Sequence, residues 1–155
     1  KIIIMGIQII TIIKNMMMKQ TICRPLKKLK LRGKDPTGNG WYGASRGSRE
    51  HKGVDYLGNP GDEVFACASG KIRIGRVYSN PSKSEFTLVE IKNKTYTIKQ
   101  MYVKPIVKNG DIVKCGQTIG ILQAIGDFYG DGMPNHCHVG IWKNGLLTDP
   151  EPIIK

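Results

Sequence analysis

The strongest limit on what this chain can fold into is its punctuation. From Trp41 onward, β-type runs are cut short by glycine, proline and asparagine before any of them reaches helical length. "GDEVFACASGKIRIGRVYS" breaks at its glycines. "SEFTLVEI", "KTYTIKQMYV", "QTIGIL" and "CHVGIW" follow, divided by Asn93-Lys94, Asn109-Gly110 and Asn144-Gly145. Asn-Gly between two apolar runs is a strong hairpin signal, because both residues tolerate a positive φ. Nineteen glycines and eight prolines in 155 residues fit many tight turns. The expected fold is therefore all-β, an antiparallel β-sandwich or open barrel with a groove. Tyr96, Ile98, Gln100 and Tyr102 alternate on one strand face and are expected to line that groove for an extended peptide. No internal repeat is evident.

The beginning of the chain reads differently. "KIIIMGIQIITII" is an apolar run ending at Lys14, shorter than the roughly 20 residues a membrane-spanning helix needs. It has the length and positive start of a signal-peptide apolar region, without a small-residue cleavage site after it. The basic stretch that follows reads as an extended lead-in. Residues 1–24 are thus expected to be an apolar, then basic, N-terminal segment: a signal, an anchor or a mis-assigned start. Residues 25–155 are expected to form the β domain, with no stable membrane span.

The net charge of +12 favours acidic partners such as an anionic wall polymer. It also fits a sequence simply rich in lysine. The charge is spread along the chain, and no nucleic-acid signature accompanies it, so a nucleic-acid partner is not expected. Cys23, Cys67, Cys115 and Cys137 form no CxxC pair; one or two disulfides and free thiols both remain open.

All three histidines sit in two short motifs, "HKGVD" (51–55) and "HCH" (136–138). On a strand, His136 and His138 share a face, and Cys137 turns to the other with Val139 and Ile141. In HKGVD, glycine is expected to let the backbone bend between His51 and Asp55. Two imidazoles and a carboxylate suit zinc, with a fourth position left for water. A histidine outside the ligand set can move protons. Asp127, Asp131 and Asp149 lack calcium-like spacing and read as surface loop. Gly110 and Asp111 read as turn chemistry. Asn135 reads as a loop residue or a substrate contact, and Trp41 and Tyr42 as ligand contacts or core anchors.

"SREHKGVDYLGNPGDEVFACASGKI", "IVKNGDIVKCGQTIG" and "NHCHVGIWKNGLLTDPEPII" resemble successive blocks of the lysostaphin/LytM-type zinc metallopeptidases, from about Ser45 to Ile154. The resemblance implies the lysostaphin catalytic-domain fold (the duplicated hybrid motif) and one zinc ion held by His51, Asp55 and His138. It implies His136 as the catalytic histidine. It also implies an extracellular, cell-envelope or phage-associated hydrolase, a monomer, cleaving peptide bonds in peptidoglycan. One block departs: in "YTIKQMYVKPIVKNGD", Tyr102 stands where the family usually has another catalytic histidine. Tyr102 can still donate a hydrogen bond to an oxyanion. The same wording is similar to the secreted chemotaxin branch of the fold, which implies the alternative of a zinc-containing binding or signalling domain with impaired catalysis.

Overall fold

The structure is a computed structural model and describes residues 2–17, 21–83, 85–130 and 132–155. Its strands are β1 (Lys34–Asp35), β2 (Gly38–Asn39), β3 (Val54–Leu57), β4 (Glu63–Phe65), β5 (Gly70–Arg76), β6 (Thr87–Lys92), β7 (Tyr96–Met101), β8 (Val103–Pro105), β9 (Ile112–Val113), β10 (Thr118–Leu122), β11 (His136–Lys143) and β12 (Leu146–Thr148). All their pairings are antiparallel. The main sheet runs β12-β11-β7-β6-β5-β9, and β3 joins it by pairing with β11. A second sheet has the order β4-β10-β8, and β1-β2 form a small hairpin. The sheets do not close into a barrel.

The turn signals explain the connections. Asn144 (φ 50°) and Gly145 (φ 78°) form the two-residue turn between β11 and β12, and both need the left-handed region that this pair supplies. Asn93 joins β6 to β7, its Oδ1 accepting from the backbone N–H groups of Thr95 and Tyr96. Gly110 (φ 89°) and Asp111 make a turn in which Asp111 Oδ2 accepts from Lys108 N at 2.9 Å. Two helices depart from the all-strand expectation. The apolar start is helical as α1 (Ile2–Met17), with Ile2, Ile3 and Ile4 exposed. A short α2 (Ile125–Tyr129) precedes the HCH motif. Among the described residues no helix is long and apolar enough to cross a membrane; residues 1 and 18–20 lie outside them.

One face of the main sheet is the core. β7 shows why alternation decides this: Tyr96, Ile98 and Gln100 are buried, and the residues between them are partly exposed. This corrects the expectation that Tyr96, Ile98 and Gln100 line a groove. Their face packs with Val89, Ile91, Val139 and Ile141, with which the strand register aligns them. Gln100 is fully buried yet satisfied. Its Oε1 accepts from Cys67 N at 2.9 Å and its Nε2 donates to the Phe65 carbonyl at 2.8 Å, joining the two sheets. Cys137 and Cys67 lie in this core as free thiols, and burial pushes both upward in pKa. Cys137 therefore faces away from the flanking histidines, as alternation requires.

The lead-in is built into the domain. Ile22 and Leu26 join the core. Leu57 N donates to Lys30 O, Arg32 N to Asp55 O, and Asp55 N to Gly40 O, so residues 30–40 cover the outer edge of β3. Cys23 is bridged to Cys115, 92 residues away. A cross-link closing so long a loop restricts the unfolded chain strongly. Replacing both cysteines by serine is expected to lower stability by about 2–4 kcal/mol, read by urea denaturation; an unchanged midpoint would show that packing alone secures the lead-in.

Candidate metal centre

The site follows from one pairing. β3 lies antiparallel to β11 with His138 opposite Asp55 and His136 opposite Leu57. Directly opposed residues point to the same face, so Asp55, His136 and His138 gather on the face away from the core. His51 joins from the loop before β3. Its N–H donates to Ala44 O, and its carbonyl accepts from Gly43 N. The chain bends at Gly53, and the missing side chain also leaves a space there. A Cβ at this position would stand 2.3 Å from the Val139 carbonyl and 2.8 Å from the His138 ring. No left-handed φ is involved, so close packing and not handedness calls for glycine at this bend.

His51, Asp55 and His138 form the one group of three potential ligands among the described residues. His138 Nδ1 lies 2.9 Å from both His51 Nε2 and Asp55 Oδ1, and His51 Nε2 lies 3.1 Å from Asp55 Oδ1. His51 Nδ1 lies 2.9 Å from the Trp41 carbonyl, to which it can only donate. A neutral His51 then presents a bare lone pair to the Asp55 carboxylate. Two acceptors at that distance repel, and a cation between them removes the conflict. A tetrahedral ion with bonds of about 2.0–2.2 Å sets its ligand atoms about 3.3–3.6 Å apart, so a small outward adjustment of this triangle admits it. The residues fit a metal.

Asp55 is 2% exposed. Burial alone would raise its pKa, but the rings of His138 and His51 and the charge of His136 hold it well below the usual carboxylate range. Its Oδ2 accepts from Arg32 Nη1 at 3.0 Å, and Arg46 stands 3.9 Å away. Arg32 is itself fixed by Asp35, at 2.7 and 3.0 Å, and by Thr37. The sequence reading missed Arg32 and Arg46. They lie in a stretch where arginine and lysine recur without spacing, so no pattern marks these two.

His136 stands outside the ligand group. Its Nδ1 donates to the Pro134 carbonyl at 2.7 Å, leaving Nε2 as an acceptor 3.6 Å from Asp55 Oδ2. Burial lowers its pKa, against the pull of Asp55. Tyr102 packs edge-on to His136, ring centres 5.2 Å apart. It does so because it leaves the alternation of β7: at φ 67° it sits in the left-handed region, and its backbone is held by Thr87 O and Gln123 N. Continued alternation would have carried it to the core side with Gln100. A non-glycine residue there costs about 1–3 kcal/mol and is typical of functional positions. Its hydroxyl bonds Tyr78 Oη at 3.0 Å, which accepts from Tyr129 at 2.7 Å. Burial raises the Tyr102 pKa, so it remains a hydroxyl at neutral pH.

Asn135 Oδ1 accepts from Gly126 N. Tyr42 packs against the core, whereas the Trp41 side chain is exposed. Asp127 is exposed, Asp149 accepts from Glu151 N, and Asp131 lies outside the described residues. Removing the Arg32 charge in Arg32→Met is expected to weaken metal affinity about 10–100-fold, as loss of a ligand's supporting partner does. Competition with a chromogenic chelator checks this, and His138→Ala should abolish stoichiometric binding in the same assay.

Residues 49–150 match Peptidase family M23. Leukocyte cell-derived chemotaxin-2 of Bos taurus is 34% identical over 132 residues, 83% of this chain and 82% of that protein. Peptidoglycan DD-endopeptidase ShyC of Vibrio cholerae is 28% identical over 106 residues, 68% of this chain and 23% of that protein. Among solved structures, lysostaphin from Staphylococcus simulans is similar with a TM-score of 0.61 and 27% identity, across 86% of this chain and 52% of that one. The chain thus spans about half of lysostaphin and under a quarter of the Vibrio endopeptidase.

Proposed function

The chain belongs to peptidase family M23, and from that premise we propose that it is a zinc metalloendopeptidase cleaving peptide bonds in bacterial peptidoglycan. The observation that carries this reading is the converging His51, Asp55 and His138 group with His136 beside it but outside it. His51, Asp55 and His138 would hold one zinc ion, which when bound supplies Lewis acidity and makes water more acidic. His136 acts as the proton carrier. With its Nδ1 proton fixed on Pro134, its Nε2 can take a proton from the attacking water and deliver it to the leaving nitrogen. Its lowered pKa keeps it a competent base at neutral pH.

Tyr102 serves as an oxyanion donor, held against His136 by its left-handed backbone. A stretched peptide would lie on the open sheet face that carries the site, with the chain acting as a monomer. The Cys23–Cys115 bridge supports an extracellular or cell-envelope location, since disulfides persist in oxidising compartments.

A second reading has its own support. The chemotaxin similarity covers 82% of that protein, and the Tyr102 hydroxyl is already engaged by Tyr78. On this reading the zinc group stabilises a secreted binding or signalling domain with impaired catalysis. Digestion of purified peptidoglycan with mass analysis of the products separates the two. Released peptides that disappear in His136→Ala support the peptidase; intact wall at high enzyme concentration overturns it. Tyr102→Phe is expected to lower turnover about 10²–10³-fold with little change in KM, and wild-type rates in that variant would remove Tyr102 from the machinery.

A further inference from the structure

The face that carries the site continues beyond it, and its chemistry changes. Trp142 lies on β11 four residues past His138 and therefore points to the same side, about 13 Å away along an extended strand. Glu90, Lys92, Thr97, Lys99, Trp142 and Gly145 line a shallow cleft of about 300 Å³ there. The strand register places Trp142 opposite Thr97, Thr97 opposite Lys92, and Lys92 opposite Lys71. Lys99 Nζ stands 5.1 Å over the Trp142 ring.

The charges in this cleft are unbalanced. Glu90 is its one carboxylate, and Arg73 takes both of its oxygens, at 3.0 and 2.9 Å. That pairing, with Lys99 and Lys92 nearby, lowers the Glu90 pKa. Among the described residues Lys71, Lys92 and Lys99 have no carboxylate within ion-pair distance. Lys71 and Lys92 directly oppose one another, an arrangement of like charges that destabilises a sheet. An anion in the cleft beside Lys92 relieves it. The indole offers a flat apolar wall, and neighbouring β6 and β7 supply a level floor for an extended chain.

We propose that this cleft is a carboxylate-selective subsite on the same sheet face, receiving an acidic residue of an extended peptide about four residues from the bond at the His–Asp–His group. The proposal rests on the peptidase reading for the position of the scissile bond, and on the cleft alone for the preference. Lys99 and Lys92 face the carboxylate, and Trp142 packs against its side-chain carbons. The selected chemistry is a peptide carboxylate, not a nucleic-acid phosphate, because the cleft has one aromatic wall and a single short row of cations and no continuous basic stripe.

The test uses labelled peptides in which a single glutamate is walked along an otherwise neutral sequence, each with a glutamine counterpart. Binding is read by fluorescence anisotropy on the His136→Gln chain, and cleavage by kcat and KM on the parent chain. The expected result is tighter binding of glutamate peptides at one position, weakened by salt. Lys92→Gln and Lys99→Gln should each reduce that affinity about 3–5-fold and together about 10-fold, with glutamine peptides unaffected. Glutamate selectivity without cleavage would sustain the subsite while the peptidase reading falls. Cleavage with equal use of both peptides would do the reverse. Equal competition by an oligonucleotide of matched charge would also overturn the subsite.

Discussion

A carboxylate almost fully removed from water is the constraint on which the structure turns. Asp55 is 2% exposed, and an unpaired charge so placed costs several kcal/mol. Its compensation is drawn from widely separated parts of the chain. Arg32 comes from the lead-in, His51 from the loop before β3, and His136 and His138 from β11. Two of the rings are held by backbone, His51 by Trp41 O and His136 by Pro134 O. Arg32 is held by the side chains of Asp35 and Thr37, and the Asp55 backbone is bonded to Gly40 and Arg32. The β3–β11 register cannot slip by one residue without turning Asp55 into the apolar core. The register that joins β3 to β11 is also the one that brings Asp55 beside His138.

This explains what the sequence made legible. The strands and turns show in local periodicity and in Asn144-Gly145, because both are dictated by neighbours in sequence. HCH announces two rings on one face through the two-residue period alone. The spacing of Cys23 and Cys115 carries no comparable information, since their approach is settled by tertiary folding. Arg32 is hidden for the same reason: its role depends on residues 30–40 lying against β3, which no short-range pattern encodes. Tyr102 was misplaced on the Gln100 face because alternation holds only while the backbone stays extended, and a φ of 67° ends it.

The region around Tyr102 differs in kind from the metal group. It is an aromatic assembly: Phe86 meets the Tyr102 ring edge to face and Tyr78 lies tilted against it, Phe128 and Tyr129 pack behind these two, and Lys83 lies 5.0–5.6 Å over Tyr78, Phe128 and Tyr129. A phenol among aromatic rings is desolvated, so its hydroxyl must be matched by another hydroxyl, which Tyr78 supplies. An imidazole at that position would bring a titratable charge into the same apolar setting. The tyrosine substitution is therefore consistent with its surroundings as a set.

Two kinds of dependence are thereby separated. The convergence of His51, Asp55 and His138 relies on the strand register, the space left by Gly53 and the Arg32 ion pair, all of which also belong to the fold. On the proposed reading, turnover would rely in addition on His136 and Tyr102, which are themselves held by Pro134 O and by Tyr78. On that reading, the distinction between a peptidase and a binding domain rests for this chain on His136 and Tyr102, whose rings pack edge-on with centres 5.2 Å apart.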